Sequence, residues 1–153
     1  MLLKNSNNFV NNIRISRDVA PRIILKGDAQ RLRQVFWNLL INSCQAMPNG
    51  GEITISAMPA ARADDDTTWC EITIADGGLG IAHEYLDKVF DPFFTTKTGG
   101  TGLGLAIAYR IIQDHQGYIT LDSKLGEGTQ FTIRLPMLGK SVYAPVLNGK
   151  PQG

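Results

Sequence analysis

The chain has 153 residues, a net charge of +1, and 43% hydrophobic against 19% charged residues. That balance suits one globular domain, able to bury roughly 68–70% of the surface its unfolded chain exposes. It argues against a large basic nucleic-acid footprint. No run of 18 or more apolar residues is present, so nothing here reads as a transmembrane helix. The opening MLLKNSNNFVNN is polar after two leucines and does not read as a signal peptide. Cys44 and Cys70 lie in apolar contexts without CxxC or His/Cys metal spacing, which predicts two buried free thiols in a reducing compartment.

In chain order, residues 13–17 (IRISR) and 22–26 (RIILK) have strand character, separated by a turn at Pro21. Asp28 offers an N-cap for a helix over 29–47, where Leu32, Val35, Phe36, Leu39, Leu40, Ser43 and Met47 form one face. Pro48-Asn49-Gly50-Gly51 stops it. Strands follow at 52–59 and 68–76, joined by the solvated ARADDD. Residues 77–100 are rich in glycine and other breakers, with one short helix predicted at 83–90, and read as a lid. A second helix is predicted at 103–115, then strands at 117–123 and 128–136 around the turn KLGEG. The order predicts an α+β fold of two layers, with a mixed, mostly antiparallel sheet and the helices on one face. The domain is expected to span 1–137, with 138–153 a tail or linker.

Three stretches carry candidate chemistry. Asn38 and Asn42, four apart on the first helix, bring two carboxamide oxygens to one edge, with Gln45 and Arg31 close by. Such oxygens suit a hard cation such as Mg²⁺ that also leans on substrate phosphates; the same spacing suits a solvated helix edge. IADGGLGIA (74–82) ends a strand in Asp76 among tight glycine turns. That aspartate could take a hydrogen bond from an amino group on a flat ligand or serve as an ordinary turn residue. TTKTGGTGLG (95–104) runs into a helix N-terminus, where freed N–H groups form an anion site and Lys97 adds a point charge. Neither GxxxxGK[ST] nor GxGxxG is satisfied there, and the HRD and DFG signatures of protein kinases are absent.

Taken in order, these stretches resemble the ATP-binding catalytic domain of sensor histidine kinases, within the superfamily shared with gyrase, Hsp90 and MutL-type ATPases (the Bergerat-type fold). QVFWNLLINSCQAM (34–47) is similar to the N box, DGGLGI (76–81) to the G1 box, VFDPFFTTK (89–97) to the F box and GTGLGLAI (100–107) to the G2 box. HQGYITLDSKLGEGTQFTIRLP (115–136) resembles the family's closing strands, and FFTTK resembles the nitrogen-regulation-type subclass. The resemblance covers about residues 13–137.

The resemblance implies ATP and Mg²⁺ as cofactors. It implies Asn42 as the metal residue and Asn38 as support for metal and phosphates, at a position where the hydrolytic branch carries a glutamate. Asp76 would bind the adenine amino group, and Gly78 and Gly80 would admit the ring. Gln45, Ile81, Phe90, Thr96 and Thr101 would complete the nucleotide set. Phe90, Phe93 and Phe94 would anchor the lid, Lys97 would reach the β- or γ-phosphate, and Gly100, Gly102, Leu103 and Gly104 would close the triphosphate site. Position 77 is glycine where the family often has asparagine, with a small effect expected. Neither His83 nor His115 sits in an H-box setting, so the phosphate acceptor is expected on a dimerisation domain outside this chain, with a response regulator downstream. No nucleic-acid or membrane contact is expected of the domain itself, in a bacterial cytoplasmic setting with a parent protein that could be membrane-anchored. The competing expectations are an anti-sigma-type serine kinase and an ATP-binding regulatory module without transfer.

Overall fold

A computed structural model describes residues 12–61, 68–96 and 100–138. The elements run β1 (Ile13–Val19), α1 (Ala29–Gln45), β2 (Gly51–Ala61), β3 (Thr68–Asp76), a 3-10 turn at His83–Tyr85, α2 (Gly104–Asp114), β4 (Tyr118–Lys124) and β5 (Gly128–Pro136). The five strands form one sheet in the order β1-β2-β3-β5-β4. β1 and β2 pair in parallel, because α1 returns the chain between them. The other three pairings are antiparallel.

The helix face predicted for α1 is the one that faces the sheet. Val35 and Leu39 are fully buried, Ser43 and Met47 are buried, and Leu32, Phe36 and Leu40 pack partly against the same cluster. The Asp28 carboxylate accepts from the Gln30 and Arg31 N–H groups, capping the helix as its sequence position suggests. α2 contributes Ala108, Ile111 and Ile112 to the core, and the sheet contributes Ile53, Ile72, Ile74, Phe131 and Ile133. Alternation along β3 puts Cys70, Ile72, Ile74 and Asp76 on this covered face, leaving Trp69, Glu71 and Thr73 on the helix-free face. Trp69 packs there against Tyr118, the two rings tilted with centroids 5.7 Å apart.

Two helices are joined at one end by side chains. Arg31 bonds Asp114 at 2.7 Å, and Arg110 reaches the same carboxylate at 3.2 Å. The Arg31 hydrogen bond, helped by the Arg110 and Arg31 charges, holds the Asp114 carboxyl below its ordinary range. The Asp28 N–H donates to His115 Nε2 at 3.0 Å, and His115 Nδ1 sits 2.7 Å from the Ile111 carbonyl. With Nε2 set to accept the Asp28 N–H, Nδ1 is the ring nitrogen placed to donate to the Ile111 carbonyl. These two contacts hold the ring between the ends of the two helices.

Two predicted elements differ. The strand at 22–26 reduces to a single bridge, Leu25 to Met137, because Pro21 breaks the run and Arg22 takes a left-handed φ of 62°; Ile23 and Leu25 still pack on the core. The helix at 83–90 is one 3-10 turn followed by further i→i+3 bonds, Lys88 to Tyr85 and Asp91 to Lys88. Both cysteines are buried and free. Burial pushes the Cys70 thiol up to about 11, with the Glu71 charge adding to it; burial and then the Asp76 charge raise that of Cys44. Residues 1–11, residues 62–67 with most of the ARADDD loop, and the tail beyond Leu138 lie outside the described residues.

Candidate functional site

The polar residues singled out in the sequence gather at one end of the sheet. Asp76 closes β3 on the covered face with only 9% exposure, beneath the C-terminal end of α1. Its Oδ1 accepts the Gly78 N–H at 2.9 Å, which bends the chain out of the strand. The following turn is gripped from both sides. On one side Leu79 N–H donates to the Ala46 carbonyl at 3.0 Å, and a Cβ at Gly78 would fall 2.6 Å from that same oxygen. On the other, Gly126 N–H donates to the Leu79 carbonyl at 2.7 Å from the β4–β5 hairpin. Gly80, at φ +72°, fits against the Lys124 carbonyl, where a Cβ would lie 2.1 Å away.

Above the turn opens a cleft of about 710 Å³ between α1, the end of β3, residues 89–96 and 100–102, and α2. Asn38, Asn42 and Gln45 line its α1 wall, and Asp76, Gly80 and Ile81 line its inner end. Thr96, Gly100, Thr101, Gly102 and Gly104 line its outer part. The Asn38 amide donates to the Gly104 carbonyl at 3.0 Å, tying α1 to the first turn of α2 and leaving its own oxygen as an acceptor. Leu103, the N-cap of α2, supplies no capping side chain, and no acidic residue stands in the first turn. The first N–H groups of α2 therefore keep their capacity for an anion. A Cβ at Gly104 would meet nothing closer than Asn38 Cγ at 3.9 Å, so room is left beside that helix end.

Three predicted nucleotide residues do not line the cleft. Gly78 lies against Ala46, Leu103 caps α2, and Phe90 stacks on Tyr109 of α2 at 5.3 Å, packing on the core. Phe94 faces the cleft and stacks on Tyr85 at 5.6 Å. Phe93, expected as a lid anchor, turns its ring outward and is tied through its backbone. Its side chain is 74% exposed, while its N–H donates to the Gly102 carbonyl at 2.8 Å. Gly102 is required there, because at φ +69° its Cβ would lie 2.3 Å from the Phe93 carbonyl carbon. Lys97 lies outside the described residues.

Trp37, Ile41, Leu79, Thr129 and Phe131 also line the cleft without being anticipated from the sequence. Trp37 and Ile41 sit one turn apart beside Asn38 and Asn42, a signal present in the spacing. Thr129 arrives from β5, opposite Asp76 in the antiparallel register, and local spacing carries no sign of it. A second cavity of about 650 Å³ lies on the helix-free face around Trp69 and Tyr118, and holds none of the motif residues.

The chain matches the family model described as "Histidine kinase-, DNA gyrase B-, and HSP90-like ATPase" over residues 27–139. Sporulation kinase C of Bacillus subtilis is 36% identical over 141 residues, covering 91% of this chain and 32% of that protein. The sensor histidine kinase ZraS of Escherichia coli is 39% identical over 122 residues, covering 80% of this chain and 24% of that protein. This chain thus spans about a third or less of the curated relatives it matches. Among solved structures, the catalytic domain of histidine kinase ThkA superposes with a TM-score of 0.69 at 33% identity, covering 82% of this chain and 80% of that one. Full-length ShkA in complex with AMPPNP gives a TM-score of 0.68 at 28% identity, covering 88% of this chain and 27% of that one.

Proposed function

Because the chain belongs to the histidine kinase-, DNA gyrase B- and HSP90-like ATPases, a family membership that implies ATP binding, we propose that it is the catalytic domain of a sensor histidine kinase. In this reading it binds Mg²⁺-ATP and passes the γ-phosphate to a histidine on a separate dimerisation domain, which a response regulator then discharges. The observation that carries the reading is the cleft itself. Its inner end holds a carboxylate beside glycine turns, its side wall holds Asn38 and Asn42, and its mouth meets the uncapped N-terminus of α2.

The donor set suits a magnesium nucleotide. Among the described residues no group of three or more His, Cys, Asp or Glu could hold a metal. A cation at this site would therefore rest on the Asn42 carboxamide and on phosphate oxygens, a combination that suits Mg²⁺. Magnesium, when bound, neutralises charge on the phosphates. Asp76 would accept from the adenine amino group, and Asn38 would hold α2 at a fixed distance through Gly104. The α2 N–H groups, with Gly100 and Gly102, would cradle the outer phosphates, and Lys97 would add charge there. Catalysis then consists of positioning and charge stabilisation. With Asn38 where a general-base carboxylate would activate water, the cleft favours a protein acceptor over hydrolysis. FFTTK supports placement in the nitrogen-regulation-type subclass.

The test is transfer. Label from γ-labelled ATP should appear, acid-labile, on a histidine-bearing dimerisation domain supplied in trans, and Asn42→Ala should abolish it while the fold persists. Tight ATP binding without transfer to any such partner would leave a regulatory nucleotide module instead, and acid-stable label on a serine would favour the serine-kinase alternative.

A further inference from the structure

Asp76, Thr129 and Ser123 stand side by side across β3, β5 and β4: Asp76 pairs with Thr129, and Thr129 with Ser123. They form a polar row at the end of a covered face that is otherwise apolar. Asp76 and Thr129 are 9% and 8% exposed, and both line the cleft. Ser123 stands behind them and makes three contacts. Its oxygen accepts the Ile81 N–H at 2.8 Å, lies 2.8 Å from Thr129 Oγ1, and lies 2.9 Å from the Gly128 carbonyl.

A serine hydroxyl has one proton and two lone pairs. The Ile81 amide can only donate, so it uses one lone pair. The Gly128 carbonyl can only accept, so it must receive the Ser123 proton. The remaining lone pair then receives the proton of Thr129, the one partner that can act either way. This assignment makes all three contacts; the reverse leaves the Ser123–Gly128 contact without a proton. Thr129, its proton committed to Ser123, has only lone pairs left to offer a ligand in the cleft it lines. Asp76, already acceptor-only as a carboxylate, does the same.

We propose that Ser123 is a specificity-setting positioning residue: by taking the Thr129 proton it makes the inner end of the cleft acceptor-only, which selects a base bearing an amino group over one bearing a carbonyl at that place. This rests on the nucleotide reading above and assigns its preference for adenine over guanine partly to a residue outside the cleft. Guanine presents its O6 acceptor where adenine presents the N6 amino donor, so it would meet two acceptors. Site selectivity built on unpaired buried polar groups is strong for this reason.

Calorimetric titration of the chain with ATP and GTP tests it. The wild type should prefer ATP, and Ser123→Ala, which frees the Thr129 hydroxyl to rotate, should cut the ATP-to-GTP affinity ratio by about three- to tenfold. Ser123→Thr, which keeps the hydroxyl, should restore the ratio. In a Thr129→Val background Ser123→Ala should no longer change it. A ratio unchanged by Ser123→Ala, or ATP and GTP affinities that fall in parallel, would overturn the proposal, since a merely structural serine would act on both alike. Should Ser123→Ala not fold, Thr129→Val alone must lower the ratio, and an unchanged ratio there overturns it equally. A wild-type chain that binds neither nucleotide defeats the ATP reading itself, an outcome visible before any variant is made.

Discussion

The glycines of DGGLG are predicted to be unequal, and Gly80→Ala against Gly77→Ala exposes the difference. At Gly80 the backbone is left-handed at φ +72°, which costs an alanine about 1–2 kcal/mol. The new Cβ would lie 2.1 Å from the Lys124 carbonyl oxygen and 3.0 Å from the Leu125 Cα. Both are backbone atoms, so turn and hairpin must part by roughly 1 Å before the contact becomes tolerable. That movement strains or breaks the Gly126–Leu79 bond of 2.7 Å and the Ile81–Ser123 bond of 2.8 Å. Each is worth about 0.5–1.5 kcal/mol, giving a total near 2–5 kcal/mol for Gly80→Ala. Against a typical domain stability of about 5–15 kcal/mol this is large. At Gly77 a Cβ meets nothing within 4 Å and φ lies outside the left-handed region. Gly77→Ala should therefore leave stability unchanged or raise it by up to about 1 kcal/mol. Urea unfolding followed by the fluorescence of Trp37 and Trp69 reads both variants, and calorimetry with ATP should show weakened binding for Gly80→Ala alone. Equal losses for the two, or a Gly80→Ala within about 0.5 kcal/mol of wild type, would refute the argument that the hairpin braces the turn.

Asp76→Asn should weaken adenine nucleotides selectively, by about tenfold or more for loss of a charge-assisted bond; an equal loss for inorganic triphosphate would show that Asp76 does not read the base. His115→Ala removes both the acceptor for the Asp28 N–H and the link to Ile111, and should cost about 1–3 kcal/mol in urea unfolding; no change would mean that the two helix ends hold without it. The thiol of Cys70 ionises near 11 in the folded chain and near 8.5 when exposed. A raised folded pKa means that the unfolded state loses the proton first, so this group's contribution is complete below about pH 8.5 and declines from there towards 11. Relative to Cys70→Val, the wild type should lose stability over that window and not below it; parallel profiles would contradict the thiol's burial.

What could be read in the sequence and what could not divide by distance along the chain. The Asp28 cap, the buried stripe of Leu32 to Met47 and the glycine turns are local, set by periodicity and by residues that tolerate left-handed backbone. The N-box asparagines reach the cleft for the same reason: helical spacing fixes which side chains share a wall. Phe90 was legible as an anchor and not as a residue off the cleft, because its partner Tyr109 lies on another element. RIILK read as a strand because its composition is that of one; Arg22 and the N-cap at Asp28 leave it room for a single bridge. Thr129 and Ser123 stayed hidden for a sharper reason. Their meeting with Asp76 depends on register across three strands, and a slip of one residue would turn each to the opposite face. The KLGEG hairpin carries none of the nucleotide chemistry by itself. Yet Gly126 holds Leu79, Lys124 limits Gly80, and Ser123 and Gly128 meet behind the row that lines the cleft. If the proposed selection holds, stability of the Asp76 turn and choice of nucleobase rest on the same contacts, which is why a variant here must be read by the ratio of two ligands and not by the loss of one.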